Sequence, residues 1–208
     1  MADDTDRPES HEEIMWATHQ ALCTHGYADL TMRKIAAESS KSHSLLAYHY
    51  NTKDELIAAY LDFLTDLLHA DLEETDGADP LERLEGFLDY FTVGTEVYPE
   101  RLQVAFLELQ MVALRNEELR EKMAEHDTEN FGLLAGIIDD GIEQEVFRAD
   151  IDSEAYAKFI LLSVMGASEH ETTTGIEGLT DDVRALLRTD VVEALLIDSS
   201  GDSDSPFS

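Results

Sequence analysis

Apolar residues recur every three or four positions along nearly the whole chain, and no stretch alternates apolar and polar residues in the manner of a strand. An all-α fold of about nine helices follows. Ile14, Ala17, Ala21 and Leu22 form the stripe of a first helix, which Gly26 ends in a left-handed conformation before Tyr27 and Leu30 seat the next turn. Thr31 caps a short second helix running to about Glu38. The polar run Ser39-Ser40-Lys41-Ser42 breaks it, and Ser42 caps a third helix that ends near Tyr50. Thr52 to Glu55 reads as a capping box: the Thr52 hydroxyl accepts from the Glu55 amide, and the Glu55 carboxylate reaches back to the Thr52 amide. Behind it Ile57, Tyr60, Leu61, Leu64 and Leu68 turn inward on a long fourth helix that runs to about Glu74.

Thr75-Asp76-Gly77-Ala78 is the clearest internal boundary. Asp79-Pro80 then opens a helix with Leu84, Phe87, Leu88 and Phe91 inward, and a second break falls at Tyr98-Pro99. Further helices are expected from Pro99 to Leu114, from about Asn116 to Glu145, from Ser153 to about Glu169 and from Thr180 to Leu196. The tail Asp198 to Ser208, rich in Ser, Asp and Gly, reads as disordered.

With 208 residues, 43% of them apolar, the chain can bury a sizeable core. Its longest apolar run, Phe159 to Ala167, falls short of the roughly 20 residues a membrane span requires, and Met1 to Ser10 is acidic where a leader would be basic and then apolar. A soluble cytoplasmic protein is expected. Cys23 is the sole cysteine; its place on an apolar helical face predicts a buried, inert thiol.

Charge changes the picture more. The chain carries 46 Asp and Glu against 14 Lys and Arg, a formal net charge of -32. An acidic partner-binding protein is one reading. The acids, however, are spread over every predicted helix, and lysine (five) is scarcer than arginine (nine), as suits a halophilic archaeon with molar potassium chloride inside. Against that background the interval Thr31 to Lys53 holds Arg33, Lys34, Lys41 and Lys53 and one acid, Glu38. Such a local change of sign suggests a surface for phosphates. Salt near 1 M shortens the screening length to about 3 Å, so remote carboxylates would barely repel a phosphate there.

No serine-elbow glycine pattern, phosphate-cradling loop or zinc signature occurs, and His11-Glu12-Glu13 and Glu169-His170-Glu171 lack metal-helix spacing. No catalytic residue, metal or cofactor is expected.

The first four helices and their residues resemble the N-terminal domain of the tetracycline-repressor (TetR/AcrR) family of transcription regulators, from Ile14 to about Leu61. The family's usual Thr-Thr-x-x-Ile-Ala, its Ala-Gly-Val-Ser turn, its aromatic-x-x-Phe and its Ser-Lys-Glu-x-Leu find counterparts here. These are Leu30-Thr31, Ile35-Ala36, Ser39-Ser40-Lys41-Ser42, Ala47-Tyr48-His49-Tyr50 and Thr52-Lys53-Asp54-Glu55-Leu56. Ser40 stands where glycine is usual, Lys41 replaces a valine, and Ala47 replaces a tyrosine that in the family touches a phosphate.

The resemblance implies a three-helix helix-turn-helix DNA-binding domain over 11–56, joined by the fourth helix to a larger helical ligand-binding and dimerisation domain over 57–197. An acidic segment, 1–10, and the tail, 198–208, flank them. The third helix would enter the major groove, with His43, Ser44 and Leu45 on base edges. Thr31, Arg33, Ser42, Tyr48, His49 and Lys53 would hold the backbone, and Lys41 would extend towards DNA. A reader so short needs a two-fold partner. Val183, Leu186, Leu187, Val191, Ala194 and Leu195 form an apolar stripe that, with Phe159, Leu162 and Gly166 on the preceding helix, could build a four-helix bundle between two copies. Phe87, Tyr90, Phe91, Tyr98, Phe106, Met111 and Phe131 could line a cavity for a small apolar or amphipathic effector, or serve as plain core. The expected function is a repressor that binds a palindromic DNA operator as a homodimer and is released by that effector. The alternative is a helical adaptor that has kept the architecture and lost its operator.

Overall fold

Side chains set where several helices begin. From extended backbone, Thr31 accepts from the Lys34 amide at 3.2 Å, Asn116 from Leu119 at 3.3 Å and Asp152 from Ala155 at 3.0 Å. The computed structural model describes residues 7–39, 43–74, 79–90 and 99–196. In chain order the helices are α1 (Arg7–His25), α2 (Met32–Glu38), α3 (His43–His49), α4 (Lys53–Glu74), α5 (Pro80–Tyr90), α6 (Glu100–Ala113), α7 (Glu117–Glu143), α8 (Ser153–Thr174) and α9 (Leu179–Leu186). The last continues without a break through a π-helical stretch, Leu187–Val192, into a closing turn, Glu193–Leu195. Among the described residues the only strand-like pairing is an isolated bridge between Phe147 and Leu196.

The all-helical expectation holds, and most boundaries fall within a residue or two of those expected. α8 runs past Glu169 to Thr174, where Gly175 ends it at φ +70°. Thr52 caps α4 as expected, accepting from the Glu55 amide at 3.0 Å. The reciprocal bond differs. Glu55 accepts from the Asn51 amide at 2.8 Å and from Asn51 Nδ2 at 3.2 Å, because Asn51 presents two donors to one carboxylate oxygen. Cys23 is half-buried, less than expected, and burial still pushes its thiol up. The tail beyond 197 and the turn around Ser40 to Ser42 lie outside the described residues.

The apolar side chains collect in two cores, and α4 belongs to both. The first joins Ile14, Met15 and Ala21 of α1, Ile35 of α2, Leu46 of α3 and Leu56 to Leu64 of α4 with Leu102, Ala105 and Leu109 of α6. The second joins Leu68 of α4 with α5, the C-terminal half of α7, α8 and α9. Within the first, Trp16 meets Phe63 edge-on at 5.5 Å, and buried His19 Nδ1 lies 2.8 Å from the buried Tyr60 hydroxyl. Within the second, a Cβ on Gly141 would sit 2.1 Å from the Phe147 ring, so only glycine lets that ring close the end of α7. No described helix is long and apolar enough to cross a membrane.

Between the cores lies a polar network. Thr65 donates to the Leu61 carbonyl and stands 2.7 Å from His126 Nδ1, while Asn130 Nδ2 lies 3.2 Å from His126 Nε2. Burial pushes His126 down to about 4. One position on, burial and then the nearby Glu169 push Asp127 up to about 6. The two groups act on stability in opposite senses. Between about pH 4 and 6 the folded chain keeps the Asp127 proton that the unfolded chain releases, so this contribution falls as pH rises. Over the same interval the unfolded chain binds a proton at histidine that folded His126 refuses, so that contribution rises with pH. Asp127→Asn removes only the first. Its denaturation midpoint is therefore expected to climb more steeply than wild type between about pH 4 and 6, and parallel curves would refute the assignment.

Candidate nucleic-acid interface

α2 and α3 pack on α1 through Ile35 and Leu46, both buried, which leaves their other faces outward. Thr31 and Arg33 are exposed at the start of α2. On α3, Leu45 is half-buried, Ala47 is exposed, and Tyr48 is 81% exposed with its ring edge-on to half-buried His49 at 5.3 Å. Tyr50 is half-buried at the end of α3, and its hydroxyl lies 2.9 Å from His11 Nδ1 of α1. No carboxylate occurs in the sequence from Ser39 to Lys53. Lys41 and Ser42 lie outside the described residues. His43 and Ser44 fall on the first turn of α3, but their side chains also lie outside what is described.

Two of the cations in this region bond back to the fold. Lys34 donates to the Asp29 carbonyl at 2.7 Å. The Lys53 ammonium donates to the Tyr27 carbonyl at 3.2 Å and sits 3.9 Å from the centre of the Tyr27 ring. Burial pulls Lys53 down, against the opposing pull of Asp54 and Glu108. The phosphate contact expected of Lys53 thus competes with a bond inside the fold.

That bond belongs to a cluster beneath the two short helices. Gly26 turns the chain at φ +68°, a conformation that strains any residue with a Cβ, and a Cβ there would also sit 2.7 Å from Glu108 Oε2. The same Glu108 oxygen accepts from the Ala28 amide at 2.9 Å. Tyr27 donates to Asp54 at 2.8 Å, and Asn116 donates to the other Asp54 oxygen at 2.9 Å. The α1–α2 turn is thereby tied to α4, to α6 and to the start of α7. Burial first, then the hydrogen bond and charge of Asp54, push the Tyr27 hydroxyl well above the usual tyrosine range.

The residues expected at a dimer interface divide. Leu187 and Leu195 are buried in the monomer's second core, and Val183 and Val191 pack partly against it. Phe159 and Leu162 are 55% exposed and Leu186 57%, with Gly166 and Ala194 also exposed. Of the side chains named for a cavity or for plain core, those described do not share one cavity. Phe87 is fully buried in the second core, Phe131 packs against that core, Phe106 packs against the first, and Met111 is 66% exposed. The Tyr90 side chain, Phe91 and Tyr98 lie outside the described residues. A cleft that sequence reasoning missed opens instead between α4, α5 and α7, lined in part by Leu72, Arg83, Leu133 and Gly136. Its signal was a pair of glycines four apart, Gly132 and Gly136, on one face of α7. No group of three or more His, Cys, Asp or Glu among the described residues is placed to hold a metal ion.

Comparison with known proteins agrees with this geometry. Residues 14–60 match the family model described as bacterial regulatory proteins, tetR family. A solved TetR transcription regulator from Haloarcula marismortui is 32% identical, covers 91% of this chain and all of its own, and superposes with a TM-score of 0.74. A Bacillus subtilis transcriptional regulator solved with stearoyl-CoA shares the fold at 19% identity, covering 86% of this chain and 97% of its own, with a TM-score of 0.67. An HTH-type transcriptional repressor of Mycobacterium tuberculosis is 37% identical over 79 residues, 38% of this chain and 42% of that protein.

Tyr27→Phe keeps the ring beneath Lys53 and removes the hydroxyl from Asp54. It is expected to lower stability by about 1.5 kcal/mol, the usual worth of a hydrogen bond to a charged group. Denaturation in high salt measures this, and an unchanged midpoint would show that the bond holds nothing.

Proposed function

This chain belongs to the TetR family of transcription regulators, and on that premise we propose that it is a DNA-binding repressor that reads a palindromic operator as a homodimer and is released by a small molecule. One observation carries the reading: α3 presents an 81% exposed Tyr48 within a run, Ser39 to Lys53, that holds no carboxylate in a chain of net charge -32. In this reading His43, Ser44 and Leu45 meet base edges. Thr31, Arg33, Lys41, Ser42, Tyr48 and His49 hold phosphates, and Lys53 steadies the Tyr27 turn behind them. Residues 11–56 read DNA and 57–197 carry effector binding and dimerisation, with 1–10 and 198–208 outside both.

Two copies meet through α8 and α9. Exposed Phe159, Leu162 and Leu186 support this, together with a groove of about 290 Å³ between those helices lined by Tyr156, Phe159, Val191 and Ala194. A relative of the same fold solved with stearoyl-CoA supports a small-molecule effector. The acid-rich surface and the Haloarcula relative support a halophilic archaeon as the source and its potassium-rich cytoplasm as the workplace.

Gel retardation on the protein's own promoter region in molar potassium chloride tests the reading. A discrete dimeric complex is expected, and its absence on every genomic fragment would favour the adaptor. Tyr48→Ala is expected to weaken the complex about tenfold without lowering the melting temperature, since so exposed a ring contributes little to the fold. With few cations at the groove, affinity is expected to fall only shallowly with added salt. A steep fall at constant circular dichroism would refute that contact map.

A further inference from the structure

One side chain serves two helices where the body meets the three N-terminal helices. Asn116 Oδ1 accepts from the Leu119 amide at 3.3 Å and so caps α7. Its Nδ2 donates to Asp54 Oδ2 at 2.9 Å, on the first turn of α4. Asp54 Oδ1 accepts in turn from the Tyr27 hydroxyl at 2.8 Å, and Tyr27 is buried in the turn that leads into α2. The amide is used at both ends. Its oxygen must face the α7 backbone and its nitrogen must face the carboxylate, so aspartate in the same place would keep the cap and lose the donor.

A second polar tie runs beside this one, from Glu108 of α6 to the Ala28 amide at 2.9 Å. Ala28 follows Tyr27 directly. Either tie alone holds the turn at one point, and the two together fix its direction. Direction matters because α2 and α3 issue from this turn. Two short reading helices that must reach successive grooves at once bind more tightly when their angle on the body is set before DNA arrives.

We infer that Asn116, which stands outside the reading helices, is a positioning residue for DNA binding: through Asp54 and Tyr27 it sets the angle of α2 and α3 on the helical body. The inference rests on the reading of this chain as a dimeric DNA-binding regulator, and it names a residue of the body on which operator affinity depends.

Exchanging the two partners tests it, with the full-length protein and a duplex of its own promoter region in molar potassium chloride at about pH 8, where carboxylates are ionised. Asn116→Asp keeps an acceptor for the Leu119 amide and sets a second carboxylate against Asp54. Its affinity is expected to fall about tenfold. Adding Asp54→Asn returns one donor and one acceptor to the pair with their places exchanged, and leaves an acceptor for the Tyr27 hydroxyl. The double variant is expected to bind within about threefold of wild type. Amide exchange at Leu119 is followed alongside and is expected to stay slow in both variants, since both retain the cap.

A single variant that binds as tightly as wild type, or a double variant that binds as weakly as the single one, would each overturn the inference. Fast exchange at Leu119 together with weakened binding would reduce Asn116 to a cap and overturn it as well. If wild type binds duplex and every variant binds alike, this inference alone falls. If wild type binds no duplex, the reading beneath it falls too.

Discussion

α4, together with α7, ties the molecule together, because its 22 residues contribute to both apolar cores. Leu56 to Leu64 pack among α1, α2, α3 and α6, and Leu68 packs with α5, α7 and α8. α7 reaches both cores as well, through Leu119 and through Leu134, Ile137 and Ile138. The first turn of α4 does a second task. Lys53 and Asp54 grip the turn that follows Gly26, while Glu108 from α6 and Asn116 from the start of α7 hold the same place from the other side. The outward face of α3 is therefore positioned by contacts that reach well into the helical body.

Legibility from sequence followed the range of the interactions. The inward stripes of α1 and α4, the caps at Thr31 and Thr52 and the left-handed Gly26 are local, and residue type with spacing was enough to read them. The aromatics of the body stay open between cavity and core in the sequence, because a helical period reports that a residue faces something, and leaves open what. Phe87 and Phe106 face two different cores, and Met111 faces solvent. Leu187 and Leu195 share one wide apolar stripe with Leu186 in the sequence, and only packing against the second core separates the two buried leucines from the exposed one. Lys53 was aimed at phosphate since nothing in the sequence says that the Tyr27 ring and carbonyl lie within its reach. Of the cleft beside Arg83 the sequence marks only the Gly132 and Gly136 pair, since the rest arises when α4, α5 and α7 come together.

The distribution of cations sharpens the contrast between the two ends. In the body, Arg83, Arg120, Lys122, Arg148, Lys158, Arg184 and Arg188 all pair with carboxylates; Arg184 and Arg188 share Asp89 of α5. Exposed pairs of this kind add little stability each. Their larger effect is on the field: the few positive charges are matched locally, and the acid excess goes unopposed over the body. Arg33, in contrast, stands exposed at the start of α2.

The winding of α9 carries a consequence of its own. Leu187 and Val192, five residues apart, both point into the second core, a spacing that matches a π-helix, whose hydrogen bonds span five residues, and not an α-helix. Such a loop of slack behaves as one surplus residue. A relative one amino acid shorter here could seat the same two anchors on an ordinary spiral, so this is a place where length variation between homologues would be silent in the interior and would register only as a rotation of the outward rim.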